Sequence, residues 1–297
     1  MINKTIVGIG EILWDILPSG KQLGGAPTNF AYHAHELGAK GIVASCLGND
    51  VLGDEILKLL DSIGIDQSFL SIDKKHKTGL ASVVLDENGL PSFTIHEDVA
   101  WDYLRETPQL LQLASVTDAV SFGSLAQRSA LSRRTIHSFL HNTPENSLRI
   151  FDINLRQHYY SRDIIISSLM VANVLKLNEQ ELSVVTKMLN IQGDQITIFR
   201  ILSECFGLNV IALTKGKNGS DLFTQGVLFS HEGYEVDSTD TVGAGDAFTT
   251  ALAIGFLKGL KPGLVNVLAN RLASFVCTQT GATPKTPNEI KALFHSP

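Results

Sequence analysis

Residues 148–189 read LRIFDINLRQHYYSRDIIISSLMVANVLKLNEQELSVVTKML, and their rhythm decides the fold class. The apolar runs at 148–153 and 173–177 have the length and branched-aliphatic content of buried strands, whereas 161–171 and 179–189 carry apolar residues at helical spacing. Strand, helix, strand, helix in one stretch is the pattern of parallel strands joined by helical crossovers. The pattern extends outward. Strands are predicted at 4–9, 41–46, 117–122 and 208–213, and helices at 26–38, 51–63, 127–141 and 195–206, with Gly38 and Gly64 just past two helix ends as stop signals. Residues 219–236 interrupt the alternation with short strand-like pieces, and helices at 244–259 and 262–279 complete the core. The expected fold is α/β: a doubly wound, mostly parallel sheet flanked by helices.

One segment keeps a different period. Residues 79–97, GLASVVLDENGLPSFTIHE, read as strand, turn and strand around Glu87-Asn88-Gly89, a β-hairpin. A hairpin between α/β units joins a parallel sheet with difficulty, so it is expected outside as a flap over a site, an edge hairpin with no moving role being the open alternative. With no internal repeat and no Pro/Ser-rich linker, a single domain over 1–297 is expected, with a small β lid formed by about 12–25 and 79–100.

Composition bounds the partners. The 297 residues are 44% hydrophobic and 18% charged, which excludes disorder, and the formal charge of -6 leaves no broad cationic field for nucleic acid or anionic lipid. A small-molecule partner is expected. Cys46, Cys205 and Cys277 suit neither a disulfide framework nor a zinc cluster and are expected as reduced, buried thiols. Glu11 and Asp15 interrupt the apolar N-terminal run before a targeting or membrane segment forms, so a cytoplasmic location is expected.

The strongest chemical signal is 240–248, Asp-Thr-Val-Gly-Ala-Gly-Asp-Ala-Phe, at the start of an amphipathic helix. Small residues at Gly243, Ala244 and Gly245 leave backbone N–H groups bare where unpaired donors and the positive dipole end attract phosphate. Asp246 stands beside that cradle, placed to orient a hydroxyl and accept its proton. The plain alternative is a glycine loop whose Asp complements the helix dipole. A second loop-to-helix signal is Gly24-Gly25-Ala26-Pro27-Thr28-Asn29, where paired glycines permit close backbone approach and Asn29 offers donor and acceptor to sugar hydroxyls, or simply caps a turn. Asp15 follows a strand-like run and could serve the same mouth.

The segments GEILWD, GGAPTN, TGLASVVLDENG, FDINLR, NEQE and DTVGAGDAF, in this order, resemble the ribokinase-like (PfkB) carbohydrate kinases, most closely the fructokinase branch, from about Gly8 to Pro284. The resemblance implies an ATP-dependent sugar kinase. It assigns Asp246 as base, the amides of Gly243, Ala244 and Gly245 as the hole for the transferring phosphoryl group, and Asp15, Gly25 and Asn29 as sugar-binding positions. Arg156 is implied on the substrate or phosphate side, an ion pair with Asp152 being its plain alternative. Asn178 and Glu181 match an Asn-x-x-Glu pattern that organises Mg2+ and phosphate through water, although the same spacing also makes a capping box. Thr214, Gly216 and Gly219 are implied along the ATP groove, where Lys215 departs from the usual apolar residue. Asn270 is implied beside the adenine, and Asp240, with carbonyls near Cys277 and Gly281, at the K+ site that some members use.

Weaker patterns fall away. Gly8-Ile9-Gly10 lacks the third glycine of a dinucleotide fingerprint, which disfavours an NAD-linked oxidoreductase, and no Gly-x4-Gly-Lys-Ser/Thr loop is present. His33, His35, His137 and His141 are read as structural or surface residues, and Lys74-Lys75-His76-Lys77 as a solvated loop. Two rivals stay open: a kinase for ribose, 2-keto-3-deoxygluconate, tagatose phosphate or a nucleoside, and a catalytically silent sugar-binding regulator on the same fold. An apolar outer face on the lid would pair with a second subunit, so a homodimer is the expected assembly.

Overall fold

The structure, a computed structural model, describes residues 3–17, 20–85 and 91–294. The chain opens with β1 (Thr5–Ile9), β2 (Leu13–Leu17), β3 (Gly20–Gly24), α1 (Ala26–Glu36), β4 (Lys40–Gly48), α2 (Val51–Ser62), β5 (Leu70–Asp73), β6 (Gly79–Leu85) and β7 (Pro91–Ile95). It continues through α3 (Pro108–Ala114), β8 (Ala119–Phe122), α4 (Ala130–His141), β9 (Leu148–Asp152), α5 (Arg162–Val171), β10 (Val174–Asn178), α6 (Glu179–Leu189), α7 (Gln195–Phe206) and β11 (Val210–Thr214). The hairpin β12 (Ser220–Thr224) and β13 (Val227–His231) and the helices α8 (Ala244–Leu257), α9 (Pro262–Cys277) and α10 (Asn288–Leu293) finish it.

Nine strands form the larger sheet in the order β13-β12-β11-β10-β9-β8-β1-β4-β5. The run from β5 to β11 is parallel, and β12 and β13 add an antiparallel edge. Because successive side chains alternate faces, each central strand feeds two cores. Val7, Phe151 and Leu175 point to the side covered by α4 to α7, and their neighbours Ile6, Ile150 and Val174 to the side covered by α1, α8 and α9. The sheet is therefore doubly wound, as the sequence predicts. Helix α8 is buried without interruption from Ala247 to Gly255, so it is a core helix enclosed on all sides there and not the amphipathic helix that the sequence suggests.

The hairpin 79–97 stands outside the main sheet, but not alone. β6 pairs antiparallel with β7 and parallel with β2, so β3-β2-β6-β7 make a second, four-stranded sheet. The expected turn at Glu87-Asn88-Gly89 lies outside the described residues. Three further differences have local causes. The predicted helix 127–141 starts only at Ala130, because Leu125–Arg128 form a 3-10 turn and Ser129 is extended. β5, α3 and α10 are not legible in the pattern, each being four to seven residues long. Of the three thiols only Cys46 is buried; Cys205 is exposed on the outer face of α7 and Cys277 is half-buried at the end of α9. Among the described residues no helix is long and apolar enough to cross a membrane.

Candidate active site

The parallel strands of the larger sheet all end toward one crevice, the position in open α/β sheets where strand-end loops carry ligands. Beyond β1 lie Glu11 and Asp15, beyond β9 Arg156, at the end of β10 Asn178 and at the end of β11 Thr214. Into the same crevice come the starts of α1 and α8, which pack on each other and share a hydrogen bond from Thr250 Oγ1 to Phe30 O of 3.1 Å. Asn29, in the first turns of α1, donates from Nδ2 to Asp246 Oδ2 in the first turn of α8 at 2.8 Å. Two residues 217 positions apart thus meet in one hydrogen bond.

The glycine cradle has a specific geometry. Gly243 caps α8 in the left-handed region at φ 78°, and a Cβ there would lie 2.6 Å from Ala282 Cα. Gly245 sits directly over Lys176, whose Nζ would be 2.9 Å from a Cβ at that position. The N–H of Ala244 is turned back to Thr241 O at 3.3 Å, while those of Gly243 and Gly245 take no backbone acceptor. Gly25, at φ 105°, caps α1 and hands β3 over to it, bringing Asn29 into place.

Charge in the crevice is arranged in pairs. Lys176 is buried in the middle of β10 and reaches Asp152 Oδ1 at 3.0 Å; Thr249 Oγ1 donates to Asp152 Oδ2 at 2.8 Å. Asp152 is therefore committed to Lys176 rather than to Arg156, which removes the ion-pair alternative for Arg156. Arg156 is exposed, with its charge felt by Glu11, Asp15 and Asp246. Burial, then the neighbouring Asp152 charge, pushes the Asp246 carboxyl up to about 7 against the opposing pull of Asn29, Lys176 and Arg156. Burial likewise lifts Asp15, on β2, to about 6, with Arg156 opposing.

On the other side of Lys176 the Asn178–Glu181 pair forms a complete capping box. Asn178 Oδ1 accepts from Glu181 N at 2.9 Å, and Glu181 Oε2 accepts from Asn178 N at 2.8 Å. Glu181 Oε1 also accepts from Leu155 N at 3.0 Å, which ties the loop carrying Arg156 to α6. The tight turn after β11 has Gly216 at φ 56° and Gly219 at φ 81°, closed by Lys215 N to Gly219 O at 2.8 Å. Thr214 Oγ1 leans on Leu177 O at 3.4 Å, and Lys215 is held by Asp221 at 3.0 Å. Asn270, on α9, is buried and spends its amide on Ser220 Oγ at 2.7 Å and Asn266 O at 2.8 Å.

Asp240 stands where the sequence places it, beside Gly281 and Cys277: its Oδ2 accepts from Gly281 N at 3.1 Å. The Cys277 carbonyl, however, already accepts from the amides of Thr239 at 2.8 Å and Asp240 at 3.2 Å. Each Asp240 oxygen accepts a single amide, from Val242 and from Gly281, and keeps lone pairs, so a K+ there would rest on Asp240 rather than on the Cys277 carbonyl. Among the described residues no cluster of three or more His, Cys, Asp or Glu side chains is arranged to hold a metal.

The histidines are structural or lie at the surface, as expected. His33 is buried behind the cradle with Nε2 2.9 Å from Ala282 O, and burial lowers it to about 4. His137 meets Gln127 Oε1 at 3.0 Å, and His141 meets His137 O at 2.7 Å. Sequence reasoning missed Lys176 and Glu11. Lys176 looks like one polar position of a strand, and only the Asp152 partner explains its burial. Glu11 is 2% exposed; burial raises its carboxyl, whose Oε2 has no partner.

A mostly parallel sheet with a second small sheet beside its strand ends, and an aspartate at a glycine-capped helix start, is the arrangement of the ribokinase-like kinases. The pfkB family carbohydrate kinase profile matches residues 19–289, and the chain belongs to that family of sugar kinases. It is 29% identical to PH1459 of Pyrococcus horikoshii, described as an uncharacterized sugar kinase, over 98% of this chain and 96% of that protein. It is 27% identical to Fructokinase-2 of Zea mays over 98% and 93%. The crystal structure of PH1459 in complex with ATP superposes with a TM-score of 0.79 at 28% identity, covering 97% of this chain and 99% of that one. The fructokinase of Xylella fastidiosa with bound ATP superposes at 0.84 and 21% identity over 99% of both, a likeness of fold.

Proposed function

We propose that this sugar kinase is a fructokinase, using ATP to phosphorylate a hydroxyl of a furanose-type sugar, with Asp246 as the base. The observation that carries the reading is the 2.8 Å bond between Asn29 and Asp246, which joins a hydroxyl-reading amide to a carboxylate beside a glycine cradle. A carboxylate held near 7 is substantially ionised at neutral pH yet basic enough to take a proton from an alcohol as the phosphoryl group arrives. Asn29 orients that carboxylate, and Asp15 stands ready to accept from a second sugar hydroxyl. The free amides of Gly243 and Gly245 face the position where charge gathers on the transferring group, with Lys176 sealed beneath them. Fructokinase-2 of Zea mays supports the choice of sugar, and the ATP complex of PH1459 supports the choice of phosphoryl donor.

Asn178 and Glu181 fit a hydrated Mg2+. Both Glu181 oxygens already accept one amide each, leaving lone pairs for the waters of an ion that sheds its hydration reluctantly. Such an ion, when bound, neutralises phosphate charge. Thr214, Gly216 and Gly219 line the groove assigned to ATP, and Asn270 braces its α9 wall through Ser220. The test is ADP release with Mg2+ and ATP across fructose, ribose, 2-keto-3-deoxygluconate, tagatose phosphate and a nucleoside. Fructose is expected to give the highest kcat/KM, and a higher value for any other acceptor rejects the fructokinase assignment.

A further inference from the structure

Helix α1 carries Asn29, His33 and Glu36 along one stripe, each a turn beyond the last. All three bond to distant segments. Asn29 reaches Asp246 at the start of α8, His33 Nε2 meets Ala282 O at 2.9 Å, and Glu36 Oε2 accepts from Thr286 N at 2.8 Å. The first bond serves the base, and the last ties down the segment before α10. The middle one serves neither of these.

His33 is fully buried, and burial lowers its titration to about 4, so the ring is neutral at neutral pH. A carbonyl can only accept, so Nε2 carries the ring proton and Nδ1 is left bare, without a partner. Leucine would fill the same space without burying an unpaired nitrogen. Packing alone therefore does not account for a histidine here; its bond to Ala282 does.

Ala282 in turn packs on the glycine cradle. Its carbonyl oxygen, the atom that His33 holds, lies 2.7 Å from the place of a Cβ on Gly243, and its Cα lies 2.6 Å from the same point. Gly243 is the left-handed cap of α8, and its N–H takes no backbone acceptor. One residue before Ala282, Gly281 N donates to Asp240 Oδ2 at 3.1 Å. The surface on which Gly243 rests is thus pinned from two sides, by Asp240 and by α1. A donor of an anion site works only if its direction is fixed in advance.

We propose that His33 is a positioning residue for phosphoryl transfer: acting through Ala282, it fixes the Gly243 end of the cradle, so that α1 aligns the base by way of Asn29 and the cradle by way of His33. The inference rests on the reading of that cradle as the place of the transferring phosphoryl group, and it holds for any acceptor sugar.

The test measures ADP release with Mg2+ and saturating ATP, on whichever sugar of the acceptor panel is turned over fastest, in His33→Leu, His33→Gln and Glu36→Ala. Leucine has no donor, whereas a glutamine amide can donate from near the place of Nε2. Glu36→Ala loosens the same helix face without breaking the Ala282 bond. His33→Leu is expected to lower kcat by about tenfold or more while the sugar KM stays within about twofold, since the cradle acts on the group in transfer and not on the bound sugar. His33→Gln recovers most of that loss, and Glu36→Ala lowers the melting temperature with kcat unchanged. Wild-type kcat in His33→Leu, a loss that falls on the sugar KM instead, a His33→Gln variant as slow as His33→Leu, or an equal loss of kcat in Glu36→Ala overturns the proposal. If His33→Leu does not fold, His33→Asn, whose amide is one methylene short of Ala282 O, takes its place with the same expectations. If the wild type releases no ADP with any acceptor, the kinase reading fails by itself, and hydrogen exchange of the full chain decides the link from His33 to Gly243. Faster exchange in His33→Leu at 241–245 as well as at 279–283, reversed in His33→Gln, supports it, and unchanged exchange at 241–245 overturns it.

Discussion

Asn29 and Asp246 form a hydrogen bond of 2.8 Å across 217 positions of sequence, and it is the point at which the two halves of the crevice become one. Asp246 is lifted to about 7 from 3.8, mainly by burial, so it is protonated and unable to act as a base when the pH falls below that value. Turnover is expected to drop on the acid side of about pH 7. Asn29→Leu removes a donor that favours the ionised form, so its acid limb moves to higher pH and its turnover falls; a limb that does not move means that Asn29 does not set the state of Asp246.

The same shift has a consequence for stability. Between 3.8 and about 7 the folded protein binds the Asp246 proton more tightly than the unfolded chain does, so this group's contribution is greatest at low pH and is lost as pH rises through about 7. Asp246→Asn removes the buried charge and keeps an oxygen for Asn29. Thermal melts are expected to show the variant gaining more, relative to wild type, at pH 8 than at pH 5, while turnover falls by orders of magnitude and ATP binding survives. Near-normal turnover rejects Asp246 as the base.

Lys176 is held at 3.0 Å by Asp152 beneath Gly245, and its charge favours the ionised form of Asp246. Lys176→Met leaves Asp152 buried and unpaired, which is expected to cost about 3–5 kcal/mol in urea unfolding. The double variant Lys176→Met/Asp152→Asn is expected to regain much of that stability and little of the turnover. Full recovery of turnover in the double variant shows that the lysine serves only to neutralise Asp152.

Gly243 and Gly207 are a matched pair for separating backbone strain from the role of the cradle. Both are left-handed, at φ 78° and 68°, but a Cβ on Gly207 meets nothing within 4 Å whereas one on Gly243 collides with Ala282. Gly207→Ala is expected to cost about 1 kcal/mol, the strain of the conformation alone, with kinetics unchanged. Gly243→Ala is expected to cost more and to lower kcat strongly, read by denaturation and by ADP release.

Much of this was legible in advance, and the exceptions share a cause. The segment β9-α5-β10-α6 announces itself because its strands are buried on both faces and α6 opens with a local capping signal, Asn178 and Glu181. β5 is an edge strand of four residues, too short for a period to show. The second sheet was half visible: the hairpin of β6 and β7 is local, but its parallel pairing with β2 joins Leu13 to Gly79, a long-range register that no local pattern encodes. The site divides in the same way. Asp246 and Asn29 lie on recognisable loop-to-helix junctions, whereas Lys176 is a single polar letter in VLKLN whose meaning resides in Asp152, 24 residues earlier on the next strand. Exposure of Cys205 had no signal either, since it depends on which face of α7 meets the sheet; thiol labelling of the native protein is expected to reach Cys205 first and Cys46 only on unfolding.

A pair of substitutions separates the capping role of Glu181 from the Mg2+ role proposed for it. As part of the cap it accepts from Asn178 N at 2.8 Å and from Leu155 N at 3.0 Å, so both oxygens have structural work within a side chain that is 5% exposed. Glu181→Gln keeps one acceptor oxygen and loses the charge, leaving one amide poorly paired at a cost of about 1–3 kcal/mol, whereas Glu181→Ala loses both acceptors and is expected to cost more. If Glu181 also orders the waters of Mg2+, its charge matters beyond the cap. Glu181→Gln then needs severalfold more Mg2+ for half-maximal turnover, measured by titration at fixed ATP, even under conditions where it is fully folded. An unchanged Mg2+ requirement in Glu181→Gln, together with the loss of stability, confines the residue to holding α6 and the Arg156 loop in register.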